Sequence, residues 1–139
     1  MKRFIITTFI LLSFAAFTSV NAKVVRNYSS QSEGNLTFTV DSIDYRKDLT
    51  RVYGRLIGRP HTSNRIDGVV FTGTGISLTS TDIDGVDFRR YFQWEDDKTI
   101  PLEIDFPAVK SLKNAQLIFD TPYGKSTTTI KARKPAKRK

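Results

Sequence analysis

Alternation of apolar and polar residues is the feature that most restricts the folds open to this chain. In the clearest run, at residues 100–106, every second side chain is apolar, and a similar run covers residues 36–40. A period of two places alternate side chains on opposite faces of a β-strand, so each run predicts a strand with one buried face. Only residues 108–116 are compatible with a short helical turn.

Short strand-like runs of this kind recur between residues 35 and 130, separated by turn residues. The segment TPYG at 121–124, with proline second and glycine last, is typical of a hairpin turn. Seven to eight short strands in one small domain predict an all-β fold, an antiparallel β-sandwich of the immunoglobulin-like type. A closed barrel is the structural alternative.

The first 22 residues have the three parts of a secretory signal peptide. Lys2 and Arg3 are basic, an uncharged apolar run follows, and Val20 and Ala22 are small residues at the cleavage positions. We therefore predict cleavage after Ala22 and export to the periplasm, the cell surface or the medium. An uncleaved anchor is the alternative, because the uncharged run at 4–20 is at the short limit for spanning a bilayer.

The rest of the chain is long enough for one domain with a sizeable core. We expect a linker or a loose first strand at residues 23–34, a β-sandwich domain at 35–130 and a basic disordered tail at 131–139. The sequence contains no cysteine, so the stability of the domain must come from its core and not from disulfides.

Positive charge is concentrated in the last nine residues. Of the 22 basic residues, two lie in the predicted signal peptide and six in the tail, which leaves 14 against 14 acidic residues in the domain. A domain that reads nucleic acid normally carries its basic surface on the fold, so we expect no specific nucleic-acid partner. The tail predicts electrostatic association with acidic envelope surfaces, and a solvated terminus without a partner is the alternative. Its basic residues are Lys131, Arg133, Lys134, Lys137, Arg138 and Lys139.

Patterns for catalysis are absent from the sequence. His61 is the one histidine, it lies in a polar stretch that reads as a loop, and no Gly-x-Ser-x-Gly pattern accompanies it. Carboxylates such as Glu95, Glu103 and Asp105 do not stand at a spacing that selects an acid/base pair. We therefore predict no enzymatic activity and no cofactor, with a hydrolase that uses carboxylates as the alternative.

Three aspartates near Gly85 form a candidate metal site. Asp82, Asp84 and Asp87 are spaced so that their oxygens can face a hard cation, as in calcium loops. The position that should hold a bidentate glutamate is Tyr91, however. We favour the competing interpretation, an Asp-Gly turn between strands with aspartates capping backbone groups.

The aromatic segment FRRYFQW carries the ligand-binding prediction. If it is extended, Arg89, Tyr91 and Gln93 share one face, a set suited to stacking on sugars or binding an acidic group. Trp94 lies on the other face and is expected to fill the core. Arg90 interrupts that face and is expected to mark a strand end or a bulge.

A second basic and aromatic set, Arg51, Tyr53 and Arg55, alternates along one predicted strand. These residues form either a strip that contacts a ligand or one side of cross-strand ion pairs. We favour ion pairs with a neighbouring acidic strand, for instance Glu103 and Asp105.

Three segments, VDSIDYRKDLTRVYGRLIGRP, DIDGVDFRRYFQW and IPLEIDFPAVKSLKNAQLIFDTPYG, resemble small exported bacterial proteins that join a signal peptide to one immunoglobulin-like sandwich of unknown function. The resemblance covers residues 35–130 and implies no catalytic residue. The expected function is an exported, non-enzymatic binding or accessory module. Its partner, a protein or a glycan, is expected at Arg89, Tyr91 and Gln93.

Overall fold

The computed structural model of the protein describes residues 23–26 and 28–132, which form twelve β-strands. The predicted all-β fold is confirmed. In this part of the chain no helix could serve as a membrane span. The predicted signal peptide at 1–22 lies outside the described residues.

The first sheet has five antiparallel strands. In spatial order they are β1 (Lys23–Arg26), β3 (Thr37–Tyr45), β4 (Leu49–Ile57), β10 (Thr99–Pro107) and β8 (Asp82–Asp84). The residues of β10 that face outward lie opposite those of β4, so that Asp105 is the partner of Arg51 and Glu103 is the partner of Tyr53.

The second sheet also has five antiparallel strands. They are β2 (Tyr28–Glu33), β12 (Gly124–Ala132), β11 (Gln116–Thr121), β6 (Gly68–Gly73) and β7 (Ile76–Thr79). A separate two-stranded ribbon pairs β5 (Ser63–Arg65) with β9 (Tyr91–Gln93).

The core lies between the two five-stranded sheets. Ten of its twelve largest fully buried side chains come from strands of the two sheets: Phe38, Ile43, Val52, Leu56, Ile104 and Phe106 from the first, and Val69, Phe71, Leu117 and Phe119 from the second. Two aromatic pairs cross the interface, Phe38 with Phe119 and Phe71 with Phe106, each with ring centroids 5.2 Å apart. The molecule is therefore a β-sandwich, because alternation buries one face of each sheet against the other.

The described residues contain more strands than the seven or eight that alternation predicts. Strands β5 and β8, which alternation does not predict, have only three residues each. A run of three residues is too short to show a period of two, so sequence pattern does not reveal such strands. Residues 23–34, predicted to be a linker or a loose strand, form β1 and β2.

The chain changes sheets at both edges of the sandwich. A single residue separates β1 in the first sheet from β2 in the second. At the opposite edge β7 leads into β8, and the change occurs where Ser80 N donates to Val69 O and Thr81 N donates to Asp105 O, both at 2.8 Å. Each edge of the sandwich is thus formed by one continuous stretch of chain.

Serine hydroxyls take the place of a neighbouring strand along the first part of β3. The short β1 pairs only with residues 42–45. Three backbone N–H groups ahead of this point donate to side chains of the second sheet: Leu36 to Ser126 at 3.0 Å, Phe38 to Ser32 at 3.0 Å, and Val40 to Ser30 at 2.9 Å. We call these three serines the serine ladder. They satisfy backbone donors that would otherwise lack partners inside the molecule.

Replacing Ser126 by alanine should destabilise the protein. Its buried hydroxyl also donates to backbone oxygens of Glu33 and Leu36 at 3.1 and 3.0 Å. The Ser126→Ala variant leaves buried backbone groups without partners, which costs about 1–3 kcal/mol of unfolding free energy. Urea unfolding measures the loss, with Ser77→Ala on the exposed side of β7 as the control. The control should change stability by less than about 0.5 kcal/mol. Equal stability of the two variants would contradict the role of the ladder.

Candidate functional site

Trp94 fixes the β5–β9 ribbon to the first sheet. Its indole Nε1 donates to the backbone oxygen of Leu56 at 3.2 Å, and the side chain is only 4% exposed. The ring packs directly on Gly58, where a Cβ atom would overlap it. The prediction that Trp94 fills the core is confirmed, and its position decides where β9 lies.

The segment that was expected to be one extended strand is divided. Only Tyr91–Gln93 is a strand, and Arg89 has a φ of 62°, which is outside the range of a strand. The backbone N–H of Arg89 donates to Ile66 O at 2.8 Å, and this bond holds the turn before β9. Tyr91 and Gln93 are exposed on the same side of β9, whereas Arg89 is exposed on the turn. Arg90 precedes the strand, in agreement with its predicted place at a strand end.

Arg65 and Tyr91 form the centre of the exposed surface on this ribbon. They are cross-strand partners, and the guanidinium carbon of Arg65 lies 5.2 Å from the centroid of the Tyr91 ring. Arg65 Nε and Nη2 also donate to the two carboxylate oxygens of Asp67, at 2.7 and 3.0 Å. The arginine is thus held by a two-point ion pair on one side and by an aromatic ring on the other.

The ion pair between Arg65 and Asp67 shifts the pKa of both side chains. The hydrogen bonds from Arg65 hold the pKa of Asp67 below its usual range. The pKa of Arg65 is raised, first by its hydrogen bond to Asp67, with smaller contributions from the nearby Tyr91 and Tyr123. Tyr123 lies in the turn between β11 and β12, which follows the residue whose backbone oxygen accepts from the N–H of Asp67 (Asp120 O, 2.7 Å), and we therefore group it with this surface. We call Arg65, Asp67, Tyr91 and Tyr123 the tyrosine–arginine surface.

The aromatic members of this surface are unusually open to solvent. Tyr91 is 59% exposed and Tyr123 is 66% exposed, the highest values among the large hydrophobic side chains of the described residues. Tyrosine and arginine are the residue types that most often supply binding energy at protein surfaces. A side chain that is already ordered, like Arg65, loses less entropy when it binds.

Gln93 faces a different set of polar groups. Its Nε2 lies 3.4 Å from His61 Nδ1, and His61 Nε2 lies 3.0 Å from a carboxylate oxygen of Asp96. His61 is 64% exposed, which agrees with its predicted position in a surface loop. Of the three residues predicted for ligand binding, Tyr91 thus lies in the tyrosine–arginine surface, Gln93 lies against the His61 loop, and Arg89 lies on the turn before β9.

Sequence reasoning missed Arg65, Asp67 and Tyr123. Arg65 belongs to a three-residue strand without a readable pattern, and its contact with Tyr91 depends on long-range pairing. One usable signal was present. The TPYG turn places a tyrosine at a turn position, where a side chain is normally exposed.

The charged face of the first sheet is occupied by ion pairs. Arg51 donates to both oxygens of Asp105 at 2.6 and 2.9 Å and lies 3.8 Å from Glu103. The predicted ion pairs of Arg51 are confirmed. Arg55 pairs with Asp41 of β3, at 3.0 and 3.3 Å, and not with β10. Both carboxylate oxygens of Asp105 thus accept hydrogen bonds from Arg51.

The three aspartates considered for metal binding are spread along the chain surface. Asp82 and Asp84 are exposed on β8, and Asp82 accepts a hydrogen bond from the N–H of Ile83 at 2.9 Å. Asp87 lies 3.9 Å from Arg90. Gly85 has a φ of 106°, which agrees with the turn interpretation. Across residues 23–26 and 28–132, no three acidic or histidine side chains are grouped as metal ligands.

The predicted basic tail is described only at its start. Lys131 is an exposed residue of β12 opposite Ser29, and the strand continues to Ala132. Arg133, Lys134, Lys137, Arg138 and Lys139 lie outside the described residues.

Comparison of the chain with known protein families, curated protein sequences and solved structures found no significant match. The resemblance to exported immunoglobulin-like proteins therefore stays a prediction beyond its β-sandwich fold.

A methyl group at Gly58 should displace Trp94 and destabilise the ribbon. The Gly58→Ala variant places a Cβ atom against the indole ring, and overpacking of this kind costs about 1–3 kcal/mol of unfolding free energy. Gly68→Ala is the matched control, because a Cβ atom at Gly68 meets nothing within 4 Å. Thermal unfolding of both variants, followed by Trp94 fluorescence, makes the comparison. Equal stability of the two would show that Trp94 does not hold the ribbon in place.

Acid should weaken the Arg65–Asp67 pair. Because the pKa of Asp67 is lower in the folded protein, the pair stabilises the protein at neutral pH, and this contribution is lost as pH falls below about 4. The Asp67→Asn variant should be less stable than the unmodified protein at neutral pH, and the difference should narrow on acidification. Thermal unfolding of both proteins over a pH series measures this difference. A difference that is constant with pH would contradict the assignment.

Proposed function

We propose that this protein is an exported, non-enzymatic binding module that contacts a partner protein through the tyrosine–arginine surface. The observation that carries the proposal is the fixed position of Arg65 between Asp67 and Tyr91, with the exposed Tyr123 on the adjoining β11–β12 turn. The proposal that it is exported rests on the predicted signal peptide at residues 1–22.

A protein partner is favoured by the chemistry of the surface. Tyr91 and Tyr123 offer apolar rings with polar hydroxyls, the combination that is enriched at protein interfaces. Arg65 and Arg89 both lie near Asp67 and offer two guanidinium groups, so the partner is expected to present acidic side chains. A glycan that stacks on the tyrosine rings is the other outcome that the experiment below distinguishes.

The finer fold assignment belongs to the same proposal. Two packed antiparallel sheets, each edge formed by a chain that changes sheets, are compatible with an immunoglobulin-like sandwich. Sandwiches of that kind present variable binding residues on loops and turns at their ends. Tyr123 in the β11–β12 turn and Arg89 in the turn before β9 have such positions.

Site-specific photocrosslinking tests this proposal in the producing cell. Tyr123→p-benzoylphenylalanine retains an aromatic ring within the tyrosine–arginine surface, and irradiation should give a discrete, protease-sensitive adduct of higher mass. The same photoreactive residue at Thr79, exposed on β7, is the control and should give no such adduct.

A second substitution tests whether formation of the adduct depends on Arg65. Arg65→Ala in the Tyr123 crosslinking protein should lower the adduct yield by at least about fivefold, because loss of a central arginine commonly costs more than about 1 kcal/mol of binding free energy. Thermal unfolding of this variant checks that it is folded. An adduct that is unchanged by Arg65→Ala, or no adduct at all, would refute the proposal. An adduct sensitive to glycosidase and resistant to protease would replace the protein partner by a glycan.

A further inference from the structure

A cavity of about 590 Å³ opens between the two sheets, at the edge where β1 and β12 approach each other. Its walls come from β1, β2, β3 and β12 and from the loop before β11. The apolar part of the lining comprises Val25, Ile43, Leu112, Ala115 and Ile130. Cavities of this volume with apolar walls are typical of small-molecule sites.

Two tyrosines supply neutral polar groups inside the cavity. Tyr28 and Tyr45 both line the cavity, close enough for each hydroxyl to influence the pKa of the other. Burial raises the pKa of both tyrosines, so both hydroxyls remain protonated at neutral pH. Apart from its lysines the lining is therefore uncharged: apolar side chains lie beside the tyrosines, and Ser111, Asn114, Gln116 and Thr129 add neutral polar groups.

The charged side chains that line the cavity are all positive. Lys113 and Lys131 are exposed and line the cavity, and the described residues of the lining include no aspartate or glutamate. Neither lysine forms an ion pair with another described residue. Two cations at the opening of an apolar cavity favour a ligand with an apolar body and a negative head group.

We propose that this cavity binds an anionic amphiphile, whose apolar chain lies between the sheets and whose carboxylate contacts Lys113 and Lys131. The site shares no residue with the tyrosine–arginine surface, so it stands independently of the partner protein proposed above. In this proposal Lys131 binds the ligand's carboxylate, whereas the sequence predicts Lys131 to be part of a tail that associates with acidic envelope surfaces.

Decanoate is the probe for this site. Calorimetric titration of the purified full chain with decanoate, below the concentration at which it forms micelles, should give a Kd tighter than about 1 mM. Saturating decanoate should also raise the Tm, because a ligand that binds only the folded state stabilises it.

Charge-reversal variants at the opening distinguish the contribution of the ligand's head group from that of its alkyl chain. The double variant Lys113→Glu and Lys131→Glu should weaken decanoate binding by at least about tenfold. Lys125→Glu carries the same kind of change at the other end of β12 and should leave the Kd within about twofold. Decanol, which has no charge, should bind the double variant and the unmodified protein alike.

A substitution that fills the cavity tests whether the alkyl chain of the ligand binds there. Ala115→Leu adds side-chain volume to the apolar wall and should abolish binding of both decanoate and decanol. If this buried substitution prevents folding, the lysine variants decide, since both lysines are exposed. Absence of decanoate binding to the unmodified protein, an equal loss in the Lys125→Glu control, or decanol binding that falls with the double variant would overturn the proposal.

Discussion

The hydrogen bonds between the serine ladder and the backbone of residues 36–40 are the interaction on which the rest of the structure depends. β1 is too short to cover the whole of β3, and the chain then leaves for the second sheet. Ser30, Ser32 and Ser126 supply short hydroxyl groups from that second sheet, so the buried donors of the first sheet are satisfied without another strand. A longer polar side chain would hold the sheets further apart, and an apolar one would leave the donors unpaired.

At the opposite edge, where β7 leads into β8, side-chain hydroxyls also form hydrogen bonds with the backbone. Ser80 Oγ accepts a hydrogen bond from the N–H of Val69 at 3.1 Å, and Thr81 Oγ1 donates to Asp105 O at 3.2 Å. Hydroxyl side chains therefore accompany the change of sheet at both edges. A strand edge with unpaired backbone groups invites aggregation, and edges that bend from one sheet into the other are less available for such pairing. At the β1–β2 edge the same crossing brings Val25 and Tyr28 to the cavity.

The two sheets and the proposed binding surface differ in the charged side chains that they expose. On the first sheet the arginines of β4 are held by acidic partners on β3 and β10. The second sheet presents a largely uncharged outer face, with Gln31, Thr129, Gln116 and Thr72 in neighbouring strands. Exposed tyrosines with an ordered arginine occur instead beside the small ribbon, which Trp94 attaches to the first sheet. The proposed binding surface thus lies on a ribbon that a buried side chain joins to the first sheet.

The sequence by itself determined the parts of this protein that depend on local periodicity. Alternate burial in a strand follows from the chain geometry, so residues 36–40 and 100–106 were readable as core strands, and Arg51 could be matched with acidic residues on a neighbouring strand. Only the tertiary structure decided that Arg65 lies beside Tyr91 and Tyr123, that Arg89 turns away from the strand, and that two tyrosines line a cavity. These features come from pairing and packing between segments that are distant in sequence, and no local pattern specifies which distant segment a short strand will meet.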